Sequence, residues 1–193
     1  MDPTRPLALL ARWLDEAREA GLPEHDAVTL ATVGADGRPS ARIVSLRRVE
    51  DDAVVFTTAL WTRKARDLRE NPDVAMVLHW PSLGRQVQLA GRAEAAERAL
   101  AEELFGRRDR PHQLQSLVSR QGEPIEDLDA MRAQLAAVRE RVGDDPVPCP
   151  PDWGAFRVHP AAIEYWVWSA DALHERVALD RPGGTWRARR LAP

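Results

Sequence analysis

Apolar residues change their spacing several times along this chain, and each change marks an element. Over 6–20 they recur at helical intervals (Leu7, Leu10, Trp13, Leu14, Ala17), and Gly21 and Pro23 stop the pattern. That predicts an amphipathic helix. Residues 27–33 are apolar and partly β-branched, and the turn signal Asp36-Gly37 with Pro39 makes 41–49 the return strand of a hairpin. After Asp51-Asp52, the run 54–58 predicts a third strand. Thr62 is placed to cap a helix over 63–70, which Asn71-Pro72 ends. Two further strands are predicted at 74–80 and 86–93.

A helical region follows, with helices predicted at 95–105, 112–119 and 125–142. The last carries Leu128, Met131, Leu135 and Val138 on one face. A Pro-rich loop spans 144–151, and strands return at 154–159, 163–168, 173–179 and 185–191. Seven to nine strands joined mostly by hairpin turns, with about five helices, give a mainly β, α+β fold. A sheet of that length is best protected by closure, so a barrel is expected. We read 1–193 as one domain with a helical insert at about 94–142. No strand runs into a Gly-rich phosphate loop, which excludes Rossmann and P-loop folds.

Charge and composition narrow the chemistry. The net charge of −3 gives no global pull toward nucleic acid. No apolar run approaches the ~20 residues of a membrane span, and the first six residues lack an apolar signal core, so a cytoplasmic protein is expected. Cys149 is the single cysteine, which rules out an internal disulfide. No His or Cys cluster has metal-ligand spacing, and no metal is expected. Of the five histidines, His25 and His159 read as solvated and His79 as structural.

Among 27 basic residues Lys64 is the only lysine, beside Arg63 at the expected start of a helix. Backbone N–H groups pointing outward at a helix start, and the helix dipole, favour an anion such as phosphate there.

Several segments together resemble the pyridoxamine/pyridoxine 5′-phosphate oxidase family, the FMN-binding split barrels. They are Thr29 to Val33 with Asp36-Gly37-Arg38-Pro39, Arg42 to Arg47, Thr62 to Arg66, Asn71-Pro72, Arg85-Gln86-Val87, Pro151 to Gly154, Ile163 to Trp166 and Leu173 to Arg176. The resemblance implies a split β-barrel with peripheral helices, forming a homodimer with FMN at the subunit interface. By position, Arg42, Ile43, Val44, Ser45, Leu46 and Arg47 resemble the first FMN strand, with Arg42 on the phosphate. Thr57 and Thr58 stand where the family has Tyr-Thr, Arg63 and Lys64 match its phosphate pair, and Gln86 matches a flavin-contacting amide. Gln121 stands for a family Gln, and Trp166 and Arg176 match contacts from the neighbouring subunit.

The substrate half departs from the family. Its phosphate pocket is represented by Arg47 (family Lys), Leu104 (Tyr), Arg108 (Arg) and His112 (Ser), and the Arg expected over the substrate ring is Ala172. His174 is the implied catalytic residue, orienting substrate or accepting a proton as hydride leaves. These implications describe an FMN-dependent oxidase, passing hydride from a small aromatic substrate to flavin N5 and electrons to O₂. The diverged pocket points to a secondary-metabolite aromatic such as a dihydrophenazine. The alternatives are a genuine vitamin B6 phosphate oxidase, a non-catalytic flavin-binding module and, ranked low, a deazaflavin reductase.

Overall fold

In the computed structural model, which describes residues 4–193, strand pairing closes the sheet on itself. The strands are β1 (Ala27–Val33), β2 (Pro39–Val49), β3 (Val54–Ala59), β4 (Asp73–Trp80), β5 (Arg85–Ala95), β6 (Trp153–Val167), β7 (Glu175–Asp180) and β8 (Arg187–Leu191). Their order is β3-β2-β1-β4-β5-β6-β7-β8, and β3 also pairs with β6. Six antiparallel strands therefore form a closed barrel, and β7 and β8 extend from it beyond β6. The expected signal-free N-terminus falls partly on residues 1–3, which lie outside the described residues.

The barrel interior is filled by alternate side chains, among them Leu30, Phe56, Met76, Leu78, Leu89 and Ile163, all nearly fully buried. Helix α1 (Ala8–Glu19) packs against this core with Leu10, Trp13 and Ala17. Trp13 meets Trp80 and Tyr165 edge-on, at 6.4 and 5.4 Å between centroids. The Tyr165 hydroxyl donates to the Pro6 carbonyl at 2.9 Å and accepts the Leu10 N–H at 3.2 Å. The Leu10 N–H, a first-turn donor of α1, is thereby satisfied along with the Pro6 carbonyl.

A second, smaller core lies outside the barrel. Helix α3 (Arg98–Gly106) sets Leu100, Leu104 and Phe105 against Val55, Trp153 and Ala155 of β3 and β6. Strand β3 is consequently buried on both faces, which explains its apolar triplet Val54-Val55-Phe56. Arg98 holds the Pro-rich loop before β6 through the carbonyls of Cys149, Pro150 and Trp153, at 3.0, 2.8 and 2.9 Å. Helices α4 (Arg110–Gln115) and α5 (Leu128–Val142) complete the insert.

Three expectations need correction. The strands expected at 154–159 and 163–168 are one 15-residue strand. Pro160 is tolerated within it because the β5–β6 register shifts there: Gly91 faces Pro160 while Ala90 faces Ala162, leaving Ala161 as a bulge. Gly91 permits the close approach, since a Cβ would lie 2.2 Å from the His159 carbonyl oxygen. His159 itself is half-buried between Asp52 (3.4 Å) and Glu94 (3.1 Å) rather than solvated. Helix α5 starts at Leu128, where the Asp127 carboxylate accepts the Asp129 N–H, and Leu128 on its expected apolar face is 50% exposed.

Candidate functional site

The Arg63-Lys64 pair opens helix α2 (Arg63–Glu70), as its sequence position predicts. Thr62 occupies the cap position with an extended backbone, but its hydroxyl donates to the Ala59 carbonyl at 2.8 Å instead of capping. The first-turn N–H groups of α2 are left without a side-chain cap, which is the arrangement an anion exploits. Lys64 is 7% exposed, and its ammonium donates to the Thr58 hydroxyl at 3.1 Å. Among the described residues it has no ion pair. Burial, and then the charge of Arg42, push its amine down from 10.5 to about 8. A buried cation without a counter-ion is costly unless a ligand supplies one.

Arg42, on β2, is turned toward β1 rather than into open space. It donates to Thr32 and Ser40 at 2.7 Å each and to the Leu30 carbonyl at 3.3 Å. Buried Asp67 accepts from Thr32 at 2.6 Å and lies 3.9 Å from both Arg42 and Arg63. One carboxylate thus ties down two arginines, and the cluster of Arg42, Arg63, Lys64 and Asp67 keeps net positive charge. Burial lowers the Arg42 guanidinium, with Asp67 opposing and Arg63 adding to the shift.

Lys64 lines a cavity of about 220 Å³ bounded by β2, β3 and the chain after α4. Ile43, Val44, Ser45, Arg47, Thr57, Thr58, Arg108 and Gln121 line it, as the resemblance implies for a binding site. Its wall carries three cations (Arg47, Lys64, Arg108) and no carboxylate. The Arg108 side chain makes no hydrogen bond or ion pair among the described residues. Its guanidinium lies 4.5 Å over the Trp153 ring and is pushed down to about 10, chiefly by burial and then by Arg47. Arg47 is 3.5 Å from Asp26. Trp61, Gln115, Ser116, Ser119 and Trp153 also line the cavity and were missed from sequence. The available signals were the place of Trp61 beside the Lys64 helix and that of Trp153 within the Pro151 to Gly154 segment.

Other expected residues do not join this cavity. Leu46 points into the barrel core at 6% exposure. Leu104 is 2% exposed in the second core, so the family's Tyr position does not reach the cavity here. The His112 side chain is 64% exposed beside Asp109. Ala172 sits in an exposed turn with φ +63.

Gln86, Trp166 and Arg176 form a second group. They are directly opposite one another on β5, β6 and β7, in one cross-strand row. Arg176 is fixed by Glu164 at 2.7 Å. The His174 ring lies 4.9 Å from the Trp166 ring, and its Nδ1 accepts the Ser169 N–H at 3.1 Å. In a neutral ring that hydrogen bond leaves the proton on Nε2, where it is offered as a donor. His79, read as structural, is exposed and lines a cavity with Trp166 and Trp168. None of this group lines the Lys64 cavity. Trp153 borders that cavity at one end of β6, and Trp166 lies near the other end, up to roughly 40 Å along the strand at ~3.3 Å per residue. One small ligand would touch both groups where a second copy of the chain brought its β5–β7 edge over the Lys64 cavity.

The arrangement fits the phosphate of a mononucleotide: an uncapped helix start, an unpaired buried ammonium and a carboxylate-free wall. No helix among the described residues is long and apolar enough to cross a membrane.

Two family descriptions match this chain. The family description pyridoxamine 5′-phosphate oxidase matches residues 14–142. The pyridoxine 5′-phosphate oxidase C-terminal dimerisation region matches residues 153–193, the segment holding Trp166 and Arg176, and indicates a homodimer. The chain is 40% identical over 188 residues to the pyridoxine/pyridoxamine 5′-phosphate oxidase of Gluconobacter oxydans, covering 97% of this chain and 94% of the relative. It is 40% identical over 191 residues to the enzyme of that name from Burkholderia lata, covering 97% and 89%. The crystal structure of PhzG from Burkholderia lata in complex with tetrahydrophenazine-1-carboxylic acid matches with a TM-score of 0.92 at 33% identity, covering 99% of this chain and 94% of that one.

Proposed function

This chain belongs to the pyridoxamine 5′-phosphate oxidase family, and we propose that it is an FMN-dependent oxidase of a small reduced aromatic, of the dihydrophenazine kind. The observation that carries the reading is Lys64: a buried ammonium without a counter-ion, at an uncapped helix start, facing a cavity with no carboxylate. The Lys64 ammonium, the Arg63 guanidinium and the α2 N–H groups hold the phosphate, and Arg42 adds charge from behind while bracing Asp67. Ser45, Thr57 and Thr58 offer hydroxyls along the cofactor's path. Gln86, Trp166 and Arg176 complete the site from the other subunit of a homodimer. When bound, FMN supplies hydride acceptance at N5 and is reoxidised by O₂, with release of H₂O₂. His174 orients the substrate through its Nε2–H, and Arg47 and Arg108 hold the substrate's anionic group. The departures at Leu104 and His112 remove two groups of the family's vitamer-phosphate pocket, and Ala172 removes the arginine over the substrate ring, which favours a different aromatic.

A second reading, vitamin B6 phosphate oxidation, is favoured by the 40% identity to relatives of that name and by the retained Arg108. Anaerobic mixing of the FMN-loaded protein with pyridoxine 5′-phosphate or with a reduced phenazine separates the readings. Bleaching of the flavin by the phenazine alone supports the first, and rapid bleaching by the vitamer overturns it. Bleaching by neither, with dithionite still effective, leaves a flavin-binding module.

A further inference from the structure

A second tryptophan stands beside Trp166. Trp168 is 57% exposed, and it lines a groove of about 540 Å³ with His79, Leu83, Gly84 and Trp166. A tryptophan that bare offers a wide, flat surface for stacking. Among the described residues the groove lining includes no Asp, Glu, Lys or Arg. It therefore suits an uncharged ring face, unlike the three-cation wall of the Lys64 cavity.

Two adjacent cross-strand rows build the groove. His79, Gln86, Trp166 and Arg176 are paired across β4, β5, β6 and β7. One step further along the same face, the register brings Gly84, Trp168 and His174 into line. The Trp168 N–H donates to the Gly84 carbonyl at 2.8 Å, and the Ser169 N–H to His174 Nδ1 at 3.1 Å. Gly84 admits the indole: its φ is +59, and a Cβ there would lie 2.9 Å from the Trp168 Cβ. Asp171 braces the turn by accepting from the Ser169 hydroxyl at 2.5 Å and the Leu173 N–H at 3.0 Å. Trp168 is thus presented by a fixed backbone, and a preorganised surface loses little entropy on binding.

We infer that Trp168 is a specificity-determining residue: with Trp166 it takes the outer ring of a fused-ring substrate whose reacting ring is oriented by the neighbouring His174, so that binding tightens with ring number. The inference rests on the preceding reading for the placement of this edge beside the flavin of the other subunit.

The test is calorimetric binding of benzoate, quinoline-8-carboxylate and phenazine-1-carboxylate to FMN-loaded wild type, Trp168→Ala and Trp168→Phe. The probes share one carboxylate and differ in ring number. Wild type should bind the three-ring probe about tenfold or more tightly than benzoate. Trp168→Ala should weaken the three-ring probe about tenfold and benzoate by less than about twofold. Trp168→Phe should recover most of that loss, with FMN content and dimer state as in wild type. Benzoate and the three-ring probe weakened alike would overturn the inference, as would a three-ring affinity that Trp168→Ala leaves unchanged. Loss of FMN or of the dimer in Trp168→Ala would also overturn it, by making Trp168 an interface residue. Flavin bleaching by a reduced phenazine tests the preceding reading separately. A ring-number dependence lost in Trp168→Ala, with no bleaching of wild type, would sink that reading and leave the groove assignment standing.

Discussion

Replacing Lys64 by methionine probes the phosphate cradle most sharply. In the unfolded chain the amine titrates near 10.4, whereas burial and Arg42 hold it at about 8 in the folded protein. Below pH 8 both states carry the proton, and the folded protein bears the full cost of a buried charge, about 3 kcal/mol at ~1.36 kcal/mol per pH unit. Between pH 8 and 10.5 the folded state has released its proton while the unfolded state still holds one. That cost therefore fades as the pH rises through this window. Lys64→Met removes it, and also removes the hydrogen bond to Thr58, worth ~1 kcal/mol. The flavin-free variant should gain about 2 kcal/mol at pH 7, a melting temperature higher by roughly 4–8 °C, with the gain gone near pH 10. Ligand binding has the opposite requirement. A phosphate dianion needs the protonated amine, so wild-type FMN affinity should be flat from pH 7 to 8 and then fall by up to ~10-fold per pH unit. Scanning calorimetry of the flavin-free proteins and fluorescence titration of FMN across this range measure both effects. A variant that melts no higher at pH 7, or that keeps the wild-type bend in FMN affinity above pH 8, would refute the reasoning.

Further outcomes follow from other parts of the structure. Arg108→Met should lower kcat/KM for the acidic substrate by ~10–100-fold without altering FMN content, because the lost contact is charge-assisted; steady-state kinetics and flavin absorbance check both. Gly91→Ala places a Cβ 2.2 Å from the His159 carbonyl oxygen and should destabilise the barrel by roughly 2 kcal/mol or more in urea titrations; an unchanged midpoint contradicts the bulge geometry. Tyr165→Phe strands the Pro6 carbonyl and the Leu10 N–H and should cost ~1–2 kcal/mol, with faster amide exchange confined to the start of α1.

Much of the fold was legible because local signals agreed with the tertiary structure. The hairpin at Asp36-Gly37, the stop at Asn71-Pro72 and the helical spacing of Leu10, Trp13 and Ala17 all appear where they were read. Strand β6 was read as two because Pro160 is a local breaker, and only the facing Gly91 on β5 lets the pairing continue. The apolar face of α5 was read correctly as a pattern, yet Leu128 is half exposed, since spacing does not say what covers a face. The site was legible where a residue's role follows from its own element, as with Lys64 at the start of α2. It was not legible where convergence decides. Trp61 and Trp153 lie far apart in sequence and meet at one cavity through the β3–β6 closure. Leu104 stands at a substrate position by resemblance to the family, but its helix face turns it into the second core.

The central claim is that each flavin site joins the Lys64 cradle of one subunit to the Trp166–Arg176 edge of the other. Mixed dimers measure this directly. Arg63→Ala/Lys64→Ala and Trp166→Ala/Arg176→Ala homodimers should each lose FMN. A mixed dimer carrying one copy of each brings the intact cradle and the intact edge together once. The account predicts one tightly bound FMN per mixed dimer, read by flavin absorbance after separation by affinity tags; mixed dimers without FMN would contradict it.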